Sequence, residues 1–340
     1  MRRYLFPSLA VALLVTAVGQ PSAAQSNGAP PPASVVDSAT SSSIPQLADG
    51  SPVDSEQDAA SVEAYWTAER MANAVPAETP PAAGQTPPPL PLEEPAAQQP
   101  GEVPPAGPEQ PPAQGGSVAI DEAATAGKVF YRNPTNGRDY VCSASALNSP
   151  SKQMVITAGH CVNTGGTSSA NPGRWMTNWT YVPRYRQGSR PFGTFSAKEF
   201  RAFNGWINDS SFHWDAAMVT LWPRAGKKIV NVTGGHGLAW NYDRSQSVTV
   251  FGYPGNHSSG EVQWVCSGTT RRVGLTDGRI ELNCGFGGGS SGGPWLRGYN
   301  QSTQLGHVNG ITSTGAGSWN RSPYFGDSVK RMFDAQGSRT

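Results

Sequence analysis

Nineteen of the chain's 30 prolines fall between Gln25 and Thr125, and that concentration decides where a core can form. Proline has no amide hydrogen for a helix or a strand ladder, and tracts such as Pro30-Pro31-Pro32 and Pro87-Pro88-Pro89 favour extended backbone. The same stretch carries 14 acidic side chains against one basic one, Arg70, with few large apolar groups to offset the entropy of ordering. Residues 25–125 therefore read as an acidic, mostly disordered prosegment or linker. Within it, Ser61 to Val75 sets Ala64, Trp66 and Met71 at roughly helical spacing ahead of Pro76, which predicts a short amphipathic helix.

Residues 1–24 have the order of a signal peptide: Arg2 and Arg3, an apolar run from Leu9 to Val18, then Ser22, Ala23 and Ala24. The apolar run is too short to span a bilayer, so export without a membrane anchor is expected, and the protein is expected to be extracellular. The two arginines also fit a twin-arginine route, but any signal peptide begins with basic residues.

The remaining stretch, 126–340, carries 22 basic and 10 acidic side chains, a basic domain behind an acidic leader. Two independently solvated charge biases would explain this. So would a leader drawn onto the domain's positive surface, as an intramolecular inhibitor or a folding aid. All four cysteines lie in the domain, at 142, 161, 266 and 284, and an exported chain favours disulfides. Pairing Cys142 with Cys161 and Cys266 with Cys284 closes two short loops. A zinc site using these cysteines with His160 is the competing use, but no C-x-x-C pair is present. No metal or cofactor is expected.

Short runs rich in Val, Ile, Thr, Tyr and Trp, separated by Gly, Asn, Pro and Ser, predict strands at Met154 to Ala158, Ala217 to Trp222, Ser247 to Tyr253 and Gly260 to Ser267. Helical periodicity returns only near the end, at 323–335. The fold class expected is all-β with a short C-terminal helix, built as a pair of barrels at about 126–235 and 236–322.

Three motifs carry chemistry. Gly288 to Pro294 reads G-G-S-S-G-G-P, where crowded glycines let the backbone turn sharply and aim amides at one point around Ser291. Thr157-Ala158-Gly159-His160-Cys161 puts His160 at the end of an apolar strand beside a half-cystine. Asp215 opens the apolar run Ala216 to Leu221, and a buried acid there needs a partner such as an imidazole, whose tautomer it would fix. Asp209 lacks that apolar context.

T-A-G-H-C, D-A-A-M-V-x-L and G-x-S-G-G-P, in the order His, Asp, Ser, resemble the chymotrypsin-like serine peptidases. Cys284, Gly252-Tyr253-Pro254 and Pro294-Trp295 resemble bacterial secreted members, including the glutamyl endopeptidase branch. The resemblance covers most of 127–335. It implies two six-stranded antiparallel β-barrels with a cleft for an extended polypeptide between them, and a triad of His160, Asp215 and Ser291. It also implies an oxyanion hole made by the amides of Gly289 and Ser291, and Ser313 as support for the acid. Specificity walls are implied at 284–289 and 312–317, with Gly285, Thr312, Thr314 and Gly315 lining the pocket. Neither wall contains Asp or Glu, which disfavours selection of Lys or Arg; Thr312 stands where glutamyl endopeptidases place a histidine. His307 reads as a surface residue, and the glycine-rich walls suggest a slot for an apolar or medium-sized side chain. Animal members place an aspartate directly before the nucleophile; here it is Ser290, so the hole is expected to be preformed or set by other contacts.

The function expected is a monomeric, secreted serine endopeptidase acting on polypeptides, with no nucleic-acid partner. The alternatives are a catalytically inactive binding protein on the same barrels, holding acidic polymers or cell envelope, and an esterase using the same three residues.

Overall fold

The computed structural model describes residues 39–77, 99–109, 122–274 and 277–340. The expected signal peptide lies outside them. Three strands come from the leader: β1 (Thr40–Ser43), β2 (Val75–Pro76) and β3 (Gly101–Val103). So do two helices, α1 (Glu56–Tyr65) and α2 (Ala68–Asn73). The first half of the domain supplies β4 (Ala126–Arg132), β5 (Asp139–Leu147), β6 (Met154–Thr157), β7 (Thr177–Pro183), β8 (Phe195–Phe203) and β9 (Ala217–Leu221). These six pair in the order β8-β7-β4-β5-β6-β9, and the β8–β9 pairing closes the barrel. Two stretches of barrel edge are left for the leader: β1 pairs with β8 in antiparallel register, Thr40 opposite Phe203, and β2 pairs with β5. Strand β5 reads DYVCSASAL, and its small residues leave room for the large ones, Trp179, Phe195, Phe200 and Met218, inside the same cluster.

The second half holds two facing sheets. One runs β12 (Trp264–Thr269), β11 (Ser247–Gly252), β15 (Pro294–Asn300), β16 (Leu305–Ile311), β10 (Gly237–Trp240), with β3 of the leader at its edge. The other runs β13 (Arg271–Arg272), β14 (Ile280–Asn283), β18 (Trp319–Ser322), β17 (Thr314–Ala316). They are tied by the Cys266–Cys284 bridge and by the Ile311 amide, which donates to Ser322 Oγ at 2.9 Å. A second apolar cluster, Val248, Val250, Ile280, Leu282, Phe286 and Trp295, fills the space between them.

The C-terminal helix α3 (Asp327–Gly337) begins a few residues later than its periodicity suggested, with Gly326 as N-cap. Val329, Met332, Phe333 and Gln336 recur at helical spacing and are buried. Gln336 donates to Thr220 Oγ1 at 2.7 Å and accepts from Arg201 Nε at 2.8 Å, pinning the helix to the first barrel.

Part of the leader is ordered. Residues 39–77 and 99–109 form regular elements against the domain. Ser55 caps α1 in a capping box with Asp58, and Thr67 caps α2. Trp66 is 1% exposed and donates its indole N–H to the Asn178 carbonyl at 2.6 Å. Together with Val53, Val62 and Met71 it packs on Phe130, Val141, Val182, Tyr185 and Tyr253 of the domain. Composition counts the apolar groups a segment brings to a core of its own; here the domain supplies the other half of the core.

At the junction of the two halves lies His236, fully buried, with Nε2 2.7 Å from Thr125 Oγ1. Burial, and then the nearby His307, push its pKa down from 6.5 to about 3. The unfolded chain therefore takes up a proton near pH 6.5 that the folded one refuses until pH falls to about 3. Its contribution is present above pH 6.5 and is lost progressively as pH falls through that window, by up to about 5 kcal/mol at one pKa unit per 1.4 kcal/mol. Urea unfolding at pH 7 and pH 4 should show a loss of that order, and His236→Gln should lessen the difference; an unchanged slope in the variant would assign the loss to other groups.

Candidate active site

Asp215 follows a short 3-10 turn, Phe212–Trp214, at the mouth of β9 and is 0% exposed. A buried carboxylate needs donors, and three converge on it. The His160 amide donates to Oδ1 at 2.8 Å, the His160 ring meets Oδ2 through Nδ1 at 2.8 Å, and Ser313 Oγ donates to Oδ2 at 2.5 Å. With Nδ1 donating to the acid, Nε2 is the acceptor of the neutral ring. His160 itself sits on the turn Gly159–Cys161, directly after β6. Gly159 is a close-approach glycine: a Cβ there would stand 2.9 Å from the Trp206 ring and 3.0 Å from Asp215 Oδ1.

The Cys142–Cys161 bridge anchors that turn to β5. Cys142, Cys161 and His160 do cluster, but the two sulfurs are bonded to each other, so the alternative zinc site has no thiolate there. Ser291 enters from the second half. Its carbonyl accepts from the Ser143 amide at 2.7 Å and lies 3.7 Å from Cys161 Sγ, so its backbone abuts the turn that carries His160. Among the described residues, Ser291 Oγ and His160 Nε2 are both buried polar atoms without a hydrogen-bond partner. Unsatisfied buried groups cost free energy, so neither atom is placed there by a stabilising hydrogen bond of its own.

The loop before Ser291 is held by contacts that sequence reading missed. Asn256 accepts from the Gly287 amide at 2.7 Å and donates to the Gly285 carbonyl at 2.9 Å. Asn320 clamps Phe286 through both of its backbone groups, at 2.9 and 2.7 Å. Ser143 Oγ donates to the Gly289 carbonyl at 2.9 Å, and Ser290 Oγ closes the turn on the Gly287 carbonyl at 2.6 Å. Ser290 thus fills a structural place within the loop, and the loop shape rests on these hydroxyls and amides instead of an ion pair. Gly289 has φ +89°, and a Cβ on it would lie 2.7 Å from the Tyr253 carbonyl. Nothing in the local sequence marks Asn256 or Asn320, because each acts across 29 positions or more.

Of the expected pocket residues, Thr312 turns its hydroxyl to the Trp295 indole N–H at 3.0 Å and is buried in the second half. Thr314 meets Arg279, whose guanidinium approaches its Oγ1 at 3.3 Å while pairing with Asp277 at 2.7 Å. Arg279 is a cation near the second wall that the sequence reading did not single out. Gly285 takes φ +63° and donates its amide to the Ser318 carbonyl, and Gly315 lies on β17. His307 is one-fifth exposed and lies 3.6 Å from Glu102 of the leader. A groove of about 920 Å³ opens beside His160 between Tyr131, Tyr140, Trp206 and Asn256, and residues Val75 to Ala77 of the leader line it.

No protein-family model matches the sequence, and no curated protein matches it. Solved structures do. A protease named Anisep from Arthrobacter nicotinovorans is 32% identical, with a TM-score of 0.58, over 64% of this chain and 97% of that one. A thermostable serine protease, AL20, from an extremophilic microorganism is 28% identical, with a TM-score of 0.59, over 64% and 99%. A Glu endopeptidase in complex with MPD is 20% identical with a TM-score of 0.51 over 66% and 96%, a likeness of fold alone. A closed first barrel, a second half of facing sheets, a histidine and acid from one and a serine from the other, and near-complete coverage of a bacterial protease at 32% identity lead to one assignment: the chain belongs to the chymotrypsin-like serine peptidases.

Proposed function

We propose that the protein is a secreted serine endopeptidase that hydrolyses peptide bonds through His160, Asp215 and Ser291. The observation that carries this reading is the arrangement of His160. Its Nδ1 is committed to Asp215, which is itself fixed by Ser313, and its Nε2 is left unpartnered, as is Ser291 Oγ. In the reaction, Nε2 takes the hydroxyl proton as Ser291 Oγ attacks the scissile carbonyl, then delivers it to the leaving amine. Water repeats the cycle on the acyl-enzyme. Asp215 holds the ring tautomer and steadies the imidazolium, while the amides of Gly289 and Ser291 receive the oxyanion. Export is supported by the two disulfides and by the likeness to bacterial serine proteases. The walls, without a carboxylate, suit an apolar or medium-sized side chain at the residue before the cleaved bond.

Prolonged incubation with an organofluorophosphonate should label Ser291, and Ser291→Ala should abolish labelling; an unlabelled protein would be the inactive binder. Casein set against simple esters separates peptidase from esterase. Ser313→Ala removes a hydrogen bond to a charged acceptor, typically 1.5–3 kcal/mol, so kcat should fall about tenfold to a hundredfold with KM little changed. Gly289→Ala would force its Cβ onto the Tyr253 carbonyl and misplace an oxyanion donor, at a cost of about a hundredfold to a thousandfold in kcat. Circular dichroism like that of the parent would assign the loss to the site and not to unfolding.

A further inference from the structure

The leader builds one wall of the groove beside His160. Strand β2 runs parallel to β5, with Val75 opposite Tyr140 and Pro76 opposite Val141, and delivers Ala77 to the nucleophile loop. There the Ala77 amide donates to the Val141 carbonyl at 2.9 Å, and the Ala77 carbonyl accepts from the Gly289 amide at 3.1 Å. Ser291 is 0% exposed and His160 8%. The pyrrolidine of Pro76 fills the space above Gly255 and Gly289 so closely that a Cβ on Gly255 would stand 2.7 Å from it.

We propose that residues 39–77 are an inhibitor carried by the chain itself, which silences the site by seating the Ala77 carbonyl on the oxyanion donor. The proposal rests on the peptidase reading and concerns the regulation of that same site. A carbonyl already bound to the Gly289 amide denies that donor to a substrate. Ala77 is placed as a stopper and not as a residue to be cleaved. Its methyl is buried in the large cluster that contains Cys142 and Cys161, away from the cluster around Phe286 that backs the specificity wall.

The stopper is held from a distance. Trp66 and Met71 bury their side chains in the apolar cluster with Phe130 and Tyr253, and β1 adds a strand to the first barrel. A single cut between residues 78 and 98 therefore leaves 39–77 docked by noncovalent contacts. Activation requires that segment to dissociate or be digested, so severing it from the domain is not sufficient.

The test uses the full chain and measures the rate at which a fluorophosphonate labels Ser291. Trp66→Ala removes the anchor, and Ala77→Pro removes the N–H given to Val141 while leaving the anchor in place. Both variants should label at least about tenfold faster than the parent, with far-ultraviolet circular dichroism matching it. If Trp66→Ala misfolds, Ala77→Pro decides. Equal labelling rates in the parent and a folded Ala77→Pro chain would overturn the inhibitor while leaving the peptidase reading intact. No labelling of any form would overturn the peptidase reading and the inhibitor with it.

Discussion

One buried carboxylate organises this molecule. Asp215 is fully shielded from solvent, and a charge so placed is tolerated only where donors replace its water. Two donors come from the first barrel, the amide and the ring of His160, and the third from the second half, Ser313. The acid therefore does two things at once: it fixes an imidazole, and it joins the two halves across the cleft. Gly159 has no side chain because Asp215 and Trp206 occupy the space where one would stand. The strands around it serve as a frame that keeps these donors converged.

The same joint is reinforced elsewhere by polar contacts that cross from one half to the other. Lys128 of β4 is 2% exposed and pairs with Glu261 at 2.7 Å; Tyr185 donates to the other oxygen of that carboxylate at 2.8 Å. Burial pulls the Lys128 pKa below its ordinary value, and Glu261 works against that pull. Truncating either partner would strand a charge, so the pair resists separation even if its net contribution to stability is small. Ser143 makes a further link, accepting from the Tyr253 amide and donating to the Gly289 carbonyl, so β5 touches both the loop before Ser291 and the strand end behind it.

Much of this was legible in the chain. His160, Asp215 and Ser291 stand in short motifs, each with a local reason for its form: a strand end, an apolar run, a glycine-rich turn; Ser313 was reached only through the family resemblance. The disulfides were legible because each closes a short loop. Asn256, Asn320 and Arg279 were not, since each acts on a partner far along the chain and single asparagines or arginines carry no local mark. The docking of part of the leader was not legible for a related reason. Its apolar residues are too few for a core of their own, and only the coordinates place Trp66 against Phe130, with ring centres 5.5 Å apart.

Magnitudes also decide what holds the leader down. The charge asymmetry of the sequence invites an electrostatic account, and some ion pairs are present: Glu63 with Arg224 at 3.3 Å and Glu102 with Arg297 at 2.5 Å. Both members of the first are more than a third exposed, and pairs of that kind are worth roughly 0–1 kcal/mol, less in salt. The leader's one arginine even pairs with an acid of the domain, Arg70 with Asp139, against the overall trend. Removing a buried tryptophan side chain costs about 3–5 kcal/mol. Docking therefore depends on Trp66 and the apolar surface beneath it more than on the exposed ion pairs.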